Sequence, residues 1–168
     1  MKKYLVTYAS RSGSTEEIAQ EIASTLMTRG FAVDLAPMKS NPVLAGYDGV
    51  ILGSSIRRGG WLPEALAFVH KNQATLDRLP TQLFTVHMIN TGSDEESLAA
   101  RLAYTAPVRL LLATSPQEEM FFAGCMDTSR LSLFERLFTR SMELKTGSLA
   151  GDQRDWQKIR SWAKTILN

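Results

Sequence analysis

Four hydroxyl side chains crowd into six consecutive residues near the start of the chain: Ser10, Ser12, Ser14 and Thr15, interleaved with Arg11 and Gly13. An apolar run of strand length, Tyr4-Leu-Val-Thr-Tyr-Ala, leads into them. Ile18, Ile22 and Leu26 then repeat at helical spacing. Strand, hydroxyl-rich turn and helix start together form a natural anion cradle, because the first N–H groups of a helix have no partner within it and carry its positive dipole end. Gly13 lets the backbone adopt angles closed to other residues and approach a ligand closely. The competing reading is an ordinary strand–helix turn with a serine-rich cap. The loop also excludes much. It has no Gly-Lys-Ser/Thr of a nucleotide P-loop and lacks the three spaced glycines of a dinucleotide fingerprint. No cysteine nucleophile lies here, Cys125 being remote in sequence. No acid stands at the strand end to hold a metal, since the first carboxylate is Glu16, already within the helix. What remains is a phosphate monoester held by hydroxyls and backbone amides.

Two further stretches carry polar chemistry after apolar runs. One is Gly53-Ser54-Ser55-Ile56-Arg57-Arg58-Gly59-Gly60-Trp61; the other is His87-Met88-Ile89-Asn90-Thr91-Gly92-Ser93-Asp94. Neither offers a nucleophile beside a base. One cysteine excludes an intrachain disulfide, and two separated histidines leave no zinc pattern. A net charge of +2 is too small to argue for nucleic acid. No apolar run reaches the ~18 residues of a membrane span, and the opening Met1-Lys-Lys leads into a strand and not a signal peptide. The expectation is a cytoplasmic protein for which peripheral membrane contact stays open.

The elements that must position these residues follow from periodicity. Strands are expected at Lys3–Ala9, 31–36, 49–55, 82–89 and 119–126. Helices are expected at 14–29, 63–74, 97–104, 131–144 and 152–167. Strands alternating with helices imply a doubly wound five-stranded parallel sheet with helices on both faces, one domain over 1–168. In such a sheet ligands sit beyond the strand C-termini, near the switch in strand order, where the three polar turns should meet. Leu66, Phe68 and Val69 should face inward, as should Trp156, Ile159, Trp162 and Ile166. The stripe Leu131, Phe134, Leu137, Phe138 and Met142 reads as core or as an interfacial helix. His70 reads as a surface residue and Cys125 as a buried thiol.

With these residues in view, Ser10-Arg-Ser-Gly-Ser-Thr15 resembles the phosphate loop of the flavodoxin family, Thr/Ser-x-Thr/Ser-Gly-x-Thr, which holds the phosphate of FMN. Gly53-Ser-Ser-Ile-Arg57 and the later Gly151-Asp-Gln-Arg-Asp-Trp156 resemble more narrowly its menaquinone-dependent protoporphyrinogen dehydrogenase branch. The resemblance spans the chain and implies a flavodoxin-like α/β fold, FMN as cofactor, and a small-molecule substrate or redox partner, with a quinone as a possible acceptor. It implies cofactor contacts from Ser10–Thr15, from Ser54, Ser55, Ile56, Arg57, Gly59 and Trp61, and from His87, Met88, Ile89, Asn90, Thr91 and Gly92. Gly59 and Gly60 would permit a peptide flip beside the ring, or simply form a tight turn. Trp61 would stack on the ring or staple the next helix. His87 would donate a hydrogen bond to flavin or substrate. The turn after the fourth strand lacks the tyrosine usual in short-chain flavodoxins, which leaves one ring face open. Arg57 and Arg58 would stabilise reduced anionic flavin and bind substrate carboxylates such as porphyrin propionates, or else are solvated loop charges. The other functional class is a non-enzymatic FMN electron carrier, against which the mildly basic balance counts. A third is an interaction module without flavin, against which the hydroxyl loop counts.

Overall fold

The computed structural model describes residues 1–126 and 151–167, and between them only positions 133, 136, 137, 140 and 141. Strand β1 (Lys3–Ala9) is apolar throughout because both of its faces are covered. Tyr4, Val6 and Tyr8 point into one core with Ile18, Ile22 and Leu26 of α1 (Ser14–Thr28). Leu5 and Ala9 point into the opposite core. Gly30, at φ +89° with open space around it, ends that helix, and β2 (Ala32–Pro37) forms a half-exposed edge. Beyond it lie a single 3-10 turn (Met38–Ser40), β3 (Gly49–Arg57), β4 (Gly60–Trp61) and α2 (Pro63–Leu76), with proline in the first helical turn where its missing N–H costs nothing.

The fully buried β5 (Thr81–His87) is followed by α3 (Glu95–Leu111), β6 (Glu118–Ala123), β7 (Cys125–Met126), β8 (Gly151–Asp152) and α4 (Trp156–Thr165). Five strands run parallel in the order β2-β1-β3-β5-β6, as the sequence implied. The order reverses between β1 and β3, which puts the switch point beside the hydroxyl-rich turn. Ile159, Trp162 and Ile166 of the last helical segment pack on the α1 face with Phe84 and Phe122, and Trp156 lies half-buried against the same cluster. Phe68 and Val69 of α2 are buried on the other face with Leu66 at its margin. Gly53 is required by this packing: a Cβ there would stand 1.9 Å from the Phe84 ring.

Four expectations are corrected. The third strand does not end at Ser55 but runs to Arg57 and folds back. Arg58 (φ +53°) and Gly59 (φ +78°) make a two-residue hairpin turn, pairing Ile56 with Trp61 and Arg57 with Gly60. Two successive positive φ angles match the right-handed twist of the flanking strands, so the segment closes as a ribbon and not as an open loop. Helix α3 extends well beyond 97–104. Asp94 caps it by accepting from Ser97 N–H (2.9 Å), and it continues through Pro107 because Val108 and Leu112 are buried beyond. The fifth parallel strand breaks at Gly124, where a Cβ would meet Val86 at 2.9 Å and Ser14 Oγ at 3.1 Å, and Cys125–Met126 leaves to pair with Gly151–Asp152. The last helix therefore begins at Trp156, capped by Asp155, and not at residue 152. The expected helix over 131–144 lies outside the described residues except for the five positions named; of its apolar stripe only Leu137 is described, and it is 69% exposed. His70 is exposed and Cys125 only half-buried.

Candidate functional site

The turn after β1 is shaped from within. Ser10 Oγ accepts the Gly13 N–H at 3.1 Å, which tightens the turn, and Gly13 takes φ +92°, a conformation that disfavours any side chain. Gly13 is also the N-cap of α1, and no side chain caps that terminus. Its first-turn N–H groups thus have no side-chain acceptor at the sheet's C-terminal edge. Ser12 and Ser10 are half-buried there, and Arg11 is exposed, paired with Glu64 at 3.2 Å. Ser14 is 7% exposed and its Oγ accepts the Cys125 N–H at 2.8 Å, so this hydroxyl still has its proton to offer a ligand. Thr15 is the informative one: its Oγ1 is buried with no hydrogen-bond partner. A buried orphan hydroxyl costs on the order of 1–3 kcal/mol unless something completes it. An anion at this uncapped helix N-terminus would complete it. The residues fit a phosphate monoester and hence FMN.

A cleft of about 260 Å³ opens beside this turn, lined among others by Tyr8, Ser10, Arg11, Gly13, Lys39 and Glu64. The Tyr8 phenol at its wall is pushed up to about 12 by burial and by the Glu16 carboxylate it bonds, so it stays protonated.

The second turn is the hairpin. Ser54 stands beside Ala9 in the β1–β3 register and Ser55 beside Val86 in the β3–β5 register, so Ile56 onward rises past the sheet's edge between the other two turns. Arg57, Arg58 and Gly59 are exposed at its tip. Ser54 is not at the surface. It is fully buried, its Oγ accepting the Leu62 N–H at 3.1 Å and donating to the Ser55 carbonyl at 2.9 Å. Trp61 is likewise placed inside: 3% exposed, packed in the α2-side core, with Nε1–H donating to Thr85 Oγ1 at 2.9 Å. In this structure it anchors the hairpin and the start of α2, the second of the two roles read from sequence, and presents no face to the crevice. No atom lies within 4 Å of a Cβ built on Gly59 or Gly60, so the outer side of the hairpin is open there.

The third turn, 88–94, is held from α3. Arg101 donates to the carbonyls of Asn90 (2.5 Å) and Gly92 (2.7 Å), and Asn90 Nδ2, on a residue at φ +62°, donates to Tyr104 Oη at 2.7 Å. Met88, Ile89 and Asn90 are half-buried, while Thr91 and Gly92 are exposed. His87 is 6% exposed, with Nδ1 2.7 Å from the Ile89 carbonyl. Burial holds its pKa below the usual imidazole value. The neutral ring therefore spends its one proton on Ile89 and has only an acceptor, Nε2, left over, which corrects the expected donor role. Beneath this turn the buried Tyr104 ring lies with its centroid 6.1 Å from that of His87.

Arg101 and Tyr104 carry structural weight here that the sequence did not reveal, for their partners lie in the 88–94 turn and not on α3.

Comparison with known proteins agrees with this geometry. The chain is 24% identical over 173 residues to protoporphyrinogen IX dehydrogenase [quinone] of Escherichia coli K12, covering 99% of this chain and 95% of that protein. It is 27% identical over 170 residues to the protein of the same name from Leishmania major, covering 96% and 73%. Among solved structures, oxidised flavodoxin 1 from Bacillus cereus superposes with a TM-score of 0.60 at 17% identity, over 99% of this chain and all of that one. Residues 5–149 match the family model described as a flavodoxin domain: the chain belongs to that family and is a flavodoxin-like, FMN-binding oxidoreductase.

Proposed function

We propose that this protein oxidises protoporphyrinogen IX, or a closely similar carboxylate-bearing tetrapyrrole, and delivers the electrons to a quinone. The observation that carries the reading is the two-arginine hairpin tip. Arg57 and Arg58 are exposed on a ribbon that rises from the switch point, flanked by the phosphate cradle and the 88–94 turn. FMN, when bound, would accept a hydride equivalent from the substrate and release electrons singly or in pairs to an acceptor.

The chain's own part is placement. Gly13, the first-turn amides of α1 and the Thr15 hydroxyl would hold the phosphate, while Arg101 and Tyr104 fix the 88–94 turn as one wall. The hairpin would form the other wall and offer guanidinium forks to substrate carboxylates. No residue pair among the described turns is set for general acid–base work, the His87 proton being committed to Ile89. The names of the two relatives above support the substrate and the quinone acceptor. No helix among the described residues is long and apolar enough to cross a membrane. A cytoplasmic protein meeting a membrane-borne quinone peripherally is the setting this reading proposes.

The test is anaerobic oxidation of protoporphyrinogen IX by the FMN-loaded protein with a menaquinone analogue. Arg57→Gln and Arg58→Gln should each lower kcat/KM about tenfold, the worth of one charge-assisted hydrogen bond of roughly 1.5–3 kcal/mol, with FMN affinity little changed. Wild-type protein that fails to turn over but exchanges electrons readily with a flavin reductase would instead be an electron carrier.

A further inference from the structure

The first turn of α1 presents a conflict. It faces an anion site, yet its third and fourth residues are Glu16 and Glu17. A dianionic phosphate at that terminus meets the favourable dipole end and two carboxylates together. Glu16 is engaged by the Tyr8 hydroxyl. Glu17 is engaged by Arg154, which arrives from 137 residues away: Nη1 lies 2.5 Å from Glu17 Oε2. The same guanidinium donates through Nε (2.8 Å) and Nη2 (2.7 Å) to Asp152, and it stacks over the Trp156 ring at 4.6 Å. Its side chain is only 9% exposed. Held on three sides, Arg154 has little freedom left to lose, unlike a flexible surface cation. Two further ion pairs lie nearby among the described residues, Glu21 with Arg160 and Arg11 with Glu64, both at 3.2 Å.

We propose that Arg154 is a positioning residue for the cofactor phosphate: it neutralises Glu17 and keeps that carboxylate turned away from the α1 terminus. The role rests on the reading of Ser10–Thr15 as the FMN phosphate cradle. Without Arg154, Glu17 and Asp152 face each other unmatched, and Glu17 is free to swing toward the phosphate.

The experiment is a titration of apoprotein with FMN and with riboflavin, which lacks the phosphate, followed by flavin fluorescence at low and high salt. Arg154→Met should weaken FMN about fivefold at low salt and leave riboflavin unchanged, and the deficit should shrink as salt screens the charges. Arg154→Lys should keep most of the affinity. Glu17→Gln, a variant that keeps Arg154 in place, should tighten FMN slightly, and Glu17→Gln with Arg154→Met should restore FMN binding to near the wild-type value. Equal loss of FMN and riboflavin in Arg154→Met without rescue by Glu17→Gln would make Arg154 a plain structural strut and overturn the proposal. Wild-type protein that binds riboflavin as tightly as FMN would overturn the cradle itself, a distinct outcome.

Discussion

The segment after β1 and the end of β3 with its hairpin leave the same edge of the same sheet, and each buries a hydroxyl with the opposite outcome. In the first, Thr15 Oγ1 is buried and unsatisfied at an uncapped helix terminus. In the second, Ser54 Oγ is buried and satisfied twice, and Trp61 Nε1–H has Thr85. The first leaves a buried hydroxyl without a partner, whereas the second satisfies its own polar groups. Small hydroxyl residues after a strand therefore say little until their parity in the sheet and their partners are known.

The sharpest break of that contrast is Gly13→Asp. A side chain at φ +92° is strained, and a carboxylate would stand where a dianion belongs. FMN affinity should fall at least about a hundredfold while the far-ultraviolet spectrum of the apoprotein stays native; unchanged affinity would place the phosphate elsewhere.

Trp61→Ala probes the self-held turn. Removing a buried indole costs roughly 3–5 kcal/mol, so the midpoint of denaturant unfolding should drop sharply. FMN titration of wild-type protein should quench tryptophan emission only modestly, since the ring is enclosed in the core. A strong quench abolished by this substitution would mean that Trp61 leaves the core to meet the flavin.

A paired measurement sharpens the comparison further. Thr15→Val keeps the shape and removes a hydroxyl that has no partner in the apoprotein, so stability should hold or rise while FMN weakens about tenfold. Ser54→Ala should do the reverse, costing about 1 kcal/mol of stability for its lost hydrogen bonds with FMN affinity nearly unchanged. Matching losses from both would erase the distinction.

The smallest effect concerns His87 beside the third turn. Its folded pKa lies below the unfolded value of 6.5, chiefly through burial. An unfolded imidazole takes a proton more readily than this one, so acid favours the unfolded chain. The stability contribution is complete above about 6.5 and is lost as pH falls through the folded value. The melting temperature of wild-type protein should decline between neutral pH and mildly acidic pH more steeply than that of His87→Asn; parallel curves would show that His87 does not control this response.

Much of the architecture was legible because it rests on one-dimensional signals. The unbroken apolar run of β1, the three-and-four spacing of Ile18, Ile22 and Leu26, and the glycine after α1 reflect local backbone preference and burial on two faces. Sheet type and the switch point followed from alternation of strands and helices, and the phosphate turn from its hydroxyls, glycine and helix start. Resemblance to a known family then supplied the name of the cofactor, which spacing alone would have left as a phosphate monoester.

Tertiary structure decided the rest, because the deciding contacts join residues far apart. The hairpin at Arg58–Gly59 depends on Trp61 finding Thr85 on the neighbouring strand. The continuation of α3 past Pro107 depends on Val108 and Leu112 burying against the opposite layer. The fate of each hydroxyl depends on which side of a strand it falls and what meets it there, as Cys125 N–H meets Ser14 across 111 residues. Arg154 meets Asp152 and Trp156 locally, but only the fold brings it to Glu17, 137 residues away.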